Sequence, residues 1–561
     1  MNLEVLLAGR LAPVLEAVAG VPVDPAVRAS PHADFQSAAP LVLARVLGRP
    51  PREIAAEVAA KAALAHPAEV AAKAALAHPT GVAATAALGD LAEMTVSGPG
   101  FLNLTVRDDV IAAALDAVGD DDRLGVPRVD QQRRIVVDYS GPNVAKEMHV
   151  GHLRSTIIGD ALARILEWQG HEVLRVNHLG DWGTPMGMLI EHLIDEEEKE
   201  YDLTAFYQQA RQKFDTSDEF RTRARLRVVA LQSGDPTTRE LWRRLVERSE
   251  RAFVAVYDRL GITLGPGDFA GESTYQDALA GVVDDLRAQG LLVESGGALC
   301  VFPPGHSTPL IVRKTDGGYG YAATDLAAIR HRVGQLRAGE LLYVVGSPQR
   351  EHFRMVFAVA RQAGWLPAEV SAEHIGFGSV LGADGKMLKS RAGEAVKLAA
   401  LLDEAVARAS APEIGLAAIK YADLSGDRRG DYVFAVDRML ASSGNTGPYL
   451  QYAYARVKSI FKRASDVPGK ILIVHPAERA LGLALLGLEP AVRNAADLRE
   501  PHRLASYLHD LAATFSAFYE QCPVLRAEPE VRASRLALAD RTARTLHIGM
   551  FLLGIPALEQ I

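Results

Sequence analysis

Cysteine is almost missing from this chain. Of its 561 residues only Cys300 and Cys522 are cysteine, far apart and neither in a Cys-x-x-Cys pair. That excludes a disulfide scaffold and a cysteine-based zinc site, and it fits a reducing, cytoplasmic setting. No apolar run is long enough to span a bilayer, so no membrane association is expected. Met1–Arg10 lacks a basic segment followed by an apolar core, so no signal peptide is expected either. Positive charge is also short: the net charge is −8. Residues 441–561 are the only net basic part, with 14 Lys and Arg against 11 Asp and Glu. Charge alone therefore gives no reason to propose a nucleic-acid partner.

What is present describes an ordinary globular protein: 48% hydrophobic and 23% charged residues. The length suits two to four domains at roughly 100–200 residues each. The N-terminal hundred residues are rich in Ala and Val and hold one perfect duplication, Ala56–Pro67 repeated at Ala68–Pro79. Two copies do not make a solenoid. Each reads as about two helical turns closed by His-Pro, a surface extension without function. Ser97-Gly98-Pro99-Gly100 followed by alternating apolar residues predicts a turn into a strand. Residues 109–119 read as a helix and 120–132 as a polar linker. From 134 the pattern alternates strands (134–138, 172–176, 341–345) with helices, which predicts a parallel α/β sheet. The charged stretch Glu191–Arg251 reads as solvated helices inserted into it. After Gly444 the chain reads as helical, with an apolar stripe at Leu504, Leu508, Leu511 and Phe515.

Two motifs carry chemistry. His149-Val150-Gly151-His152 opens the helix that follows the first α/β strand. A helix start offers unpaired N–H groups and a positive dipole end to a phosphate. An HxxH pair also suits a metal, but no third ligand lies nearby and the flanks do not match the helical zinc motif, so no metal site is expected. Lys386-Met387-Leu388-Lys389-Ser390-Arg391 lies in a Gly-rich loop, where mobile lysines can follow charge developing on a triphosphate. Gly376-Phe377-Gly378 upstream imitates a dinucleotide fingerprint, but the third glycine is misplaced and no βαβ start surrounds it.

Together the two motifs resemble the HIGH and KMSKS signatures of class I aminoacyl-tRNA synthetases, with Leu388 where the second signature has Ser. Four longer stretches resemble the arginyl branch: Asp138–Asp160, Val176-Asn177-His178-Leu179-Gly180-Asp181-Trp182-Gly183-Thr184, Tyr319–Ala327 and Tyr343–Phe353. The resemblance covers nearly the whole chain. It implies a Rossmann-like catalytic domain (130–440, with an insertion at about 186–300), an N-terminal α+β domain that meets the D-loop side of tRNA (1–108), and an all-α DALR anticodon-binding domain (441–561). It further implies arginine–tRNA ligation: ATP with Mg²⁺ activates L-arginine, and tRNA(Arg) accepts it, in a cytoplasmic monomer with no dedicated protein metal site.

By the same resemblance, His149, His152, Lys386 and Lys389 are catalytic. Lys146, Gly151, Met387 and Ser390 complete the ATP contacts. Asp138, Asn143, Tyr321, Asp325 and Gln349 line the arginine pocket. A guanidinium is a planar fork of five donors that needs carboxylates, and Asp325 is the first choice. Asp138 is then a candidate for the α-ammonium, and which of the two aspartates binds the guanidinium stays open. A site with buried acids should reject the neutral analogue citrulline. Asn103, Tyr449, Gln451, Tyr452 and Arg456 are implied tRNA contacts, against the bland reading that the tyrosines are helix core. The chain ends Gln560-Ile561 where relatives end in Arg-Met. Two other classes compete: a small-molecule nucleotidyltransferase, which would need neither flanking domain, and a non-catalytic tRNA-binding paralogue, which should have lost a motif histidine or lysine.

Overall fold

The computed structural model describes residues 2–64, 87–196, 202–315, 317–388 and 396–561. Most of the tandem repeat, and Lys389 and Ser390 of the lysine loop, lie outside them; the first copy begins on the helix Pro51–Leu64.

At the centre is a four-stranded parallel sheet in the order Ser371–His374, Glu340–Tyr343, Arg134–Asp138, Glu172–Val176. Tyr343 sits opposite Asp138, and Asp138 opposite Val176. Ile135, Val136 and Val137 are wholly buried because both faces of the sheet are covered. The helix Val150–Trp168 lies between the first two strands in sequence, and the third strand joins on the other side of the first. Strand order therefore reverses at Arg134–Asp138, and the crevice at the carboxyl ends of such strands is where α/β sheets bind ligands. The third strand is Glu340–Tyr343, slightly earlier than the sequence predicts; Val344 still bonds to Asp138 before the chain turns at Gly346.

Four helices (Thr184–Asp195, Leu203–Thr216, Asp218–Ser233 and Pro236–Leu260) follow the second strand. The sequence reads this stretch as solvated, yet it builds its own apolar cluster from Met186, Leu189, Phe206, Phe220, Leu231 and Leu245. These residues are widely spaced among charges, so their common face shows only when four helices meet.

The N-terminal part is an antiparallel sheet in the order Val27–Ser30, Ala33–Ser37, Phe101–Val106, Ala92–Ser97, backed by the helices Leu3–Ala19 and Pro51–Leu64. The turn before Phe101 needs glycine: Gly100 has φ +139°, and a Cβ there would stand 2.7 Å from the Pro51 carbonyl carbon. The C-terminal part is helical (Gly447–Arg463, Pro476–Leu485, Leu488–Asp497, His502–Gln521, Pro529–Leu552). Leu504, Leu508, Leu511 and Phe515 lie fully inside it, at the expected helical spacing. Polar bonds join the two ends of the chain. Arg479 grips Asp34 through two nitrogens (2.9 and 2.7 Å) and also reaches Asp108 at 2.8 Å.

Candidate active site

The loop between the first strand and its helix is held in an unfavourable backbone. Ser140 (φ 76°) and Ala145 (φ 59°) both occupy the left-handed region without being glycine. Such strain persists only where the surroundings over-determine it. Here they do: Ser140 N–H donates to Ser155 Oγ (2.8 Å), Ala145 N–H to Ser249 Oγ (2.9 Å), and Gly141 N–H to Asn177 Oδ1 (2.9 Å). Tyr257 links Ser140 Oγ and Asn177 from the helix Pro236–Leu260. The inserted helices thus lock the loop that leads into His149.

His149 caps the helix Val150–Trp168. Its Nδ1 accepts from Gly151 N–H at 3.1 Å, and His152 Nδ1 accepts from His149 N–H at 3.1 Å. Each ring therefore carries its proton on Nε2. Burial, reinforced by Lys146, lowers the His149 pKa. Burial first, then His149, pushes His152 down to about 3. Both are neutral Nε2–H donors near pH 7, packed with ring centres 4.1 Å apart. Gly151 makes this possible, since a Cβ there would stand 2.8 Å from the His149 ring. Lys146 is half-buried, its Nζ 4.1 Å from the centre of the Tyr207 ring.

The lysine loop is rooted beside this helix start. Leu381 and Met387 face each other across its base, and Gly382 N–H donates to the Lys386 carbonyl. Lys386 and Met387 are exposed. When the chain returns, Val150 N–H donates to the Val396 carbonyl (2.9 Å) and Leu398 N–H to the Met148 carbonyl (2.8 Å). The returning arm is thus hydrogen-bonded to residues on both sides of His149.

Deeper in the crevice lies a group of carboxylates. Asp325, one turn into the helix Tyr321–Gly334, places Oδ2 2.6 Å from His352 Nε2. Burial, then Asp181 and Asp325, raises the Glu272 carboxyl to about 7. Asp181 accepts from Ser273 N–H and Oγ at 2.9 and 2.6 Å, and burial raises its pKa. Asp138 is already answered by the fully buried Arg332 at 2.7 Å. Asn143, Tyr321 and Gln349 are exposed at the rim, Tyr321 by 74%. The sequence reading missed Glu272, Asp181, His352 and Arg332. His352 and Asp181 stood inside quoted motifs, whereas nothing local marked Glu272. Among the described residues no group of three or more His, Cys, Asp and Glu could hold a metal ion.

The implied tRNA contacts divide. Asn103 is half-buried and accepts from Gln36 Nε2 at 2.8 Å on the N-terminal sheet. Tyr449 and Tyr452 are half-buried and Arg456 is exposed. Gln451 requires a correction. It is fully buried and donates to the carbonyls of Glu413 (3.2 Å) and Pro556 (2.8 Å), so it fastens the bundle and is out of reach of RNA.

A parallel sheet that reverses order above a histidine-capped helix, with a lysine loop returning onto that helix, defines a class I aminoacyl-tRNA synthetase. The family model "tRNA synthetases class I (R), catalytic domain" matches residues 115–412, "DALR anticodon binding domain" matches 450–561 and "Arginyl tRNA synthetase N terminal domain" matches 3–79. The chain is 50% identical to the arginine–tRNA ligase of Thermobifida fusca over 96% of its own length and 95% of the relative's. It is 46% identical to that of Cutibacterium acnes, covering 99% and 100%. The arginyl-tRNA synthetase of Plasmodium falciparum superposes with a TM-score of 0.82 at 28% identity, covering 100% and 99%. That of Thermus thermophilus gives 0.78 at 26%, covering 100% of both. The chain belongs to the arginine–tRNA ligase family. No helix among the described residues is long and apolar enough to cross a membrane.

Proposed function

We propose that this chain activates L-arginine with ATP and Mg²⁺ and transfers it to the terminal ribose of tRNA(Arg), as a cytoplasmic monomer with the domain division 1–108, 130–440 and 441–561. The observation that supports the reading is the histidine-capped helix start, where the rings of His149 and His152 pack 4.1 Å apart and where Val396 and Leu398, beyond the lysine loop, bond to Val150 and Met148.

In the first step the arginine carboxylate attacks the α-phosphorus of ATP, and pyrophosphate leaves. No protein nucleophile is needed, so the residues act by position and charge. The neutral imidazoles donate hydrogen bonds to phosphate oxygens without needing a proton from solvent. Gly151 leaves room for close approach of the nucleotide. By the family resemblance Lys386, Lys389 and Ser390 offer charge and donors to the departing pyrophosphate, with Met387 a further ATP contact, and Lys146 adds charge from the strained loop. In the second step the ribose hydroxyl attacks the adenylate carbonyl, and AMP leaves.

Arginine is chosen by charge. Asp325 and Glu272 receive the guanidinium, with Asp181 holding the Ser273 turn behind Glu272. Asp138, already neutralised by Arg332, shapes the pocket floor. Tyr321, Asn143 and Gln349 close its rim. Bound arginine favours ionised Glu272, which burial, then Asp181 and Asp325, otherwise hold partly protonated near pH 7. Tyr449, Tyr452 and Arg456 present stacking surfaces and charge to the anticodon arm, and Asn103 presents an amide to the D-loop side. The test is aminoacylation of total tRNA with labelled arginine. Arginine should be accepted and citrulline refused; equal use of both would overturn the charge-based pocket.

A further inference from the structure

The two halves of the nucleotide site belong to different parts of the chain. One short segment, Asp427–Phe434, touches both. On one side it runs beside the lysine loop's outgoing arm. Val380 pairs with Tyr432 and Leu381 with Val433 in a parallel bridge. Gly378 N–H donates to the Arg428 carbonyl at 2.9 Å. Ser379 N–H donates to Asp431 Oδ1 at 2.6 Å. The approach is close enough to demand glycine, since a Cβ on Gly378 would stand 2.5 Å from the Gly430 carbonyl oxygen.

On the other side the segment is fastened to the histidine helix. Arg154, two residues beyond His152 and buried, donates from Nη1 to the Gly430 carbonyl (2.7 Å) and from Nε to Asp423 Oδ1 (2.7 Å). Its guanidinium carbon lies 5.3 Å from the centre of the Tyr432 ring and 5.9 Å from that of Phe377. The planar fork thus spans four partners, two hydrogen-bond acceptors and two rings, that a lysine ammonium could not satisfy together. The segment's start is tied to the C-terminal bundle, where Arg428 donates to the Arg499 carbonyl (2.9 Å) and Arg429 pairs with Glu500 at 2.9 Å; Arg428 also donates to the Gly376 carbonyl (2.6 Å) ahead of the lysine loop.

We propose that Arg154, Asp423 and Asp431 are positioning residues that brace Asp427–Phe434 between the histidine helix and the lysine loop and so set the distance between the two halves of the ATP site. This rests on the reading of Lys386 and the histidines as ATP-binding. The bonds that define the brace all run to protein groups: Arg154 to Gly430 and Asp423, and Asp431 to Ser379. Their effect is geometric, and misplacement of reacting groups by about 1 Å can cost on the order of 100-fold in rate.

The experiment measures ATP–pyrophosphate exchange on the full chain with tRNA present, varying ATP and arginine separately. Asp431 is exposed, so Asp431→Ala should fold normally, yet it removes the acceptor of Ser379 N–H. It should raise the ATP KM or lower kcat by about tenfold, leaving the KM values for arginine and tRNA within about twofold. Asp431→Asn keeps an acceptor oxygen and should restore near-wild-type ATP kinetics. Arg154→Lys should reproduce the ATP defect more strongly. Wild-type ATP kinetics in Asp431→Ala, or an equal loss in Asp431→Asn, overturns the brace. Lys386→Ala is the control: if it abolishes exchange while Asp431→Ala is silent, the brace alone fails. If Lys386→Ala is itself silent, the ATP-site reading fails and the brace with it.

Discussion

Replacing Asp325 by Asn tests the arginine pocket at its centre. The change keeps the side chain's shape and an oxygen facing His352, but removes the charge. The Asp325 side chain is 18% exposed, so solvent screens its pairing with a guanidinium only in part. Truncating one partner of a buried, hydrogen-bonded charge pair costs about 2–5 kcal/mol. The partial exposure places Asp325 toward the low end, at about 3 kcal/mol, which corresponds to a rise of about 100-fold in the arginine KM. ATP–pyrophosphate exchange with tRNA present, at saturating ATP and varied arginine, reads this directly, and the converse titration should show the ATP KM within about threefold of wild type. A second signature follows from Glu272. Its carboxyl is raised to about 7, first by burial and then by Asp181 and Asp325. In the wild type the arginine KM should rise as pH falls through about 7, because the protonated carboxyl no longer attracts the guanidinium. In Asp325→Asn one repelling charge is gone, so that rise should move to lower pH. An unchanged arginine KM, or a defect in ATP instead, would refute the assignment.

Other outcomes follow from the same geometry. Lys389→Ala should lower turnover by about 100-fold or more with little change in arginine KM, as expected for charge offered mainly to the transition state; wild-type turnover removes the lysine from the mechanism. Gly151→Ala, whose Cβ would meet the His149 ring at 2.8 Å, should displace that ring and lower kcat by more than about tenfold; an undiminished rate means the ring's placement is immaterial. His152 binds its proton more weakly when folded, with a pKa of about 3 against 6.5, so the unfolded chain holds more protons in that interval. Its stabilising share is therefore complete above about 6.5 and lost as pH falls toward about 3, and His152→Asn should flatten the fall of Tm over that window. Arg479→Met removes the grip on Asp34 and Asp108 and should raise the tRNA KM several-fold while leaving exchange kinetics for ATP and arginine alone; a shift in the ATP KM would contradict the separation of these surfaces.

The parts of this architecture that could be read in advance are those written locally. The strand Arg134–Asp138, the helix opened by His149 and the C-terminal apolar stripe each follow from residues a few positions apart. The histidine tetrad was legible because one helix start fixes the cap, the glycine and the second ring at once. The acidic pocket was not. Asp181, Glu272 and Asp325 come from separate regions of the chain, and they meet only in the fold, where Glu272 N–H donates to the Leu179 carbonyl and Ser273 N–H to Asp181. Arg332 reads on paper as one more charge on a helix, and only its burial against Asp138 shows that this carboxylate is already paired. Gln451 misled in the opposite sense: the family resemblance implied an RNA contact, yet in the bundle it donates to two backbone carbonyls. The apolar face shared by the four inserted helices was diluted by charges and could not be recognised from spacing alone.

The most direct test of the account is ATP–pyrophosphate exchange measured with arginine, lysine and citrulline in turn, each with and without total tRNA. The account predicts exchange with arginine alone among the three, and the family resemblance adds that it should require tRNA. Exchange with citrulline comparable to that with arginine, or folded protein that binds tRNA yet catalyses no exchange under any condition, would contradict the central claim that this crevice activates arginine through its guanidinium.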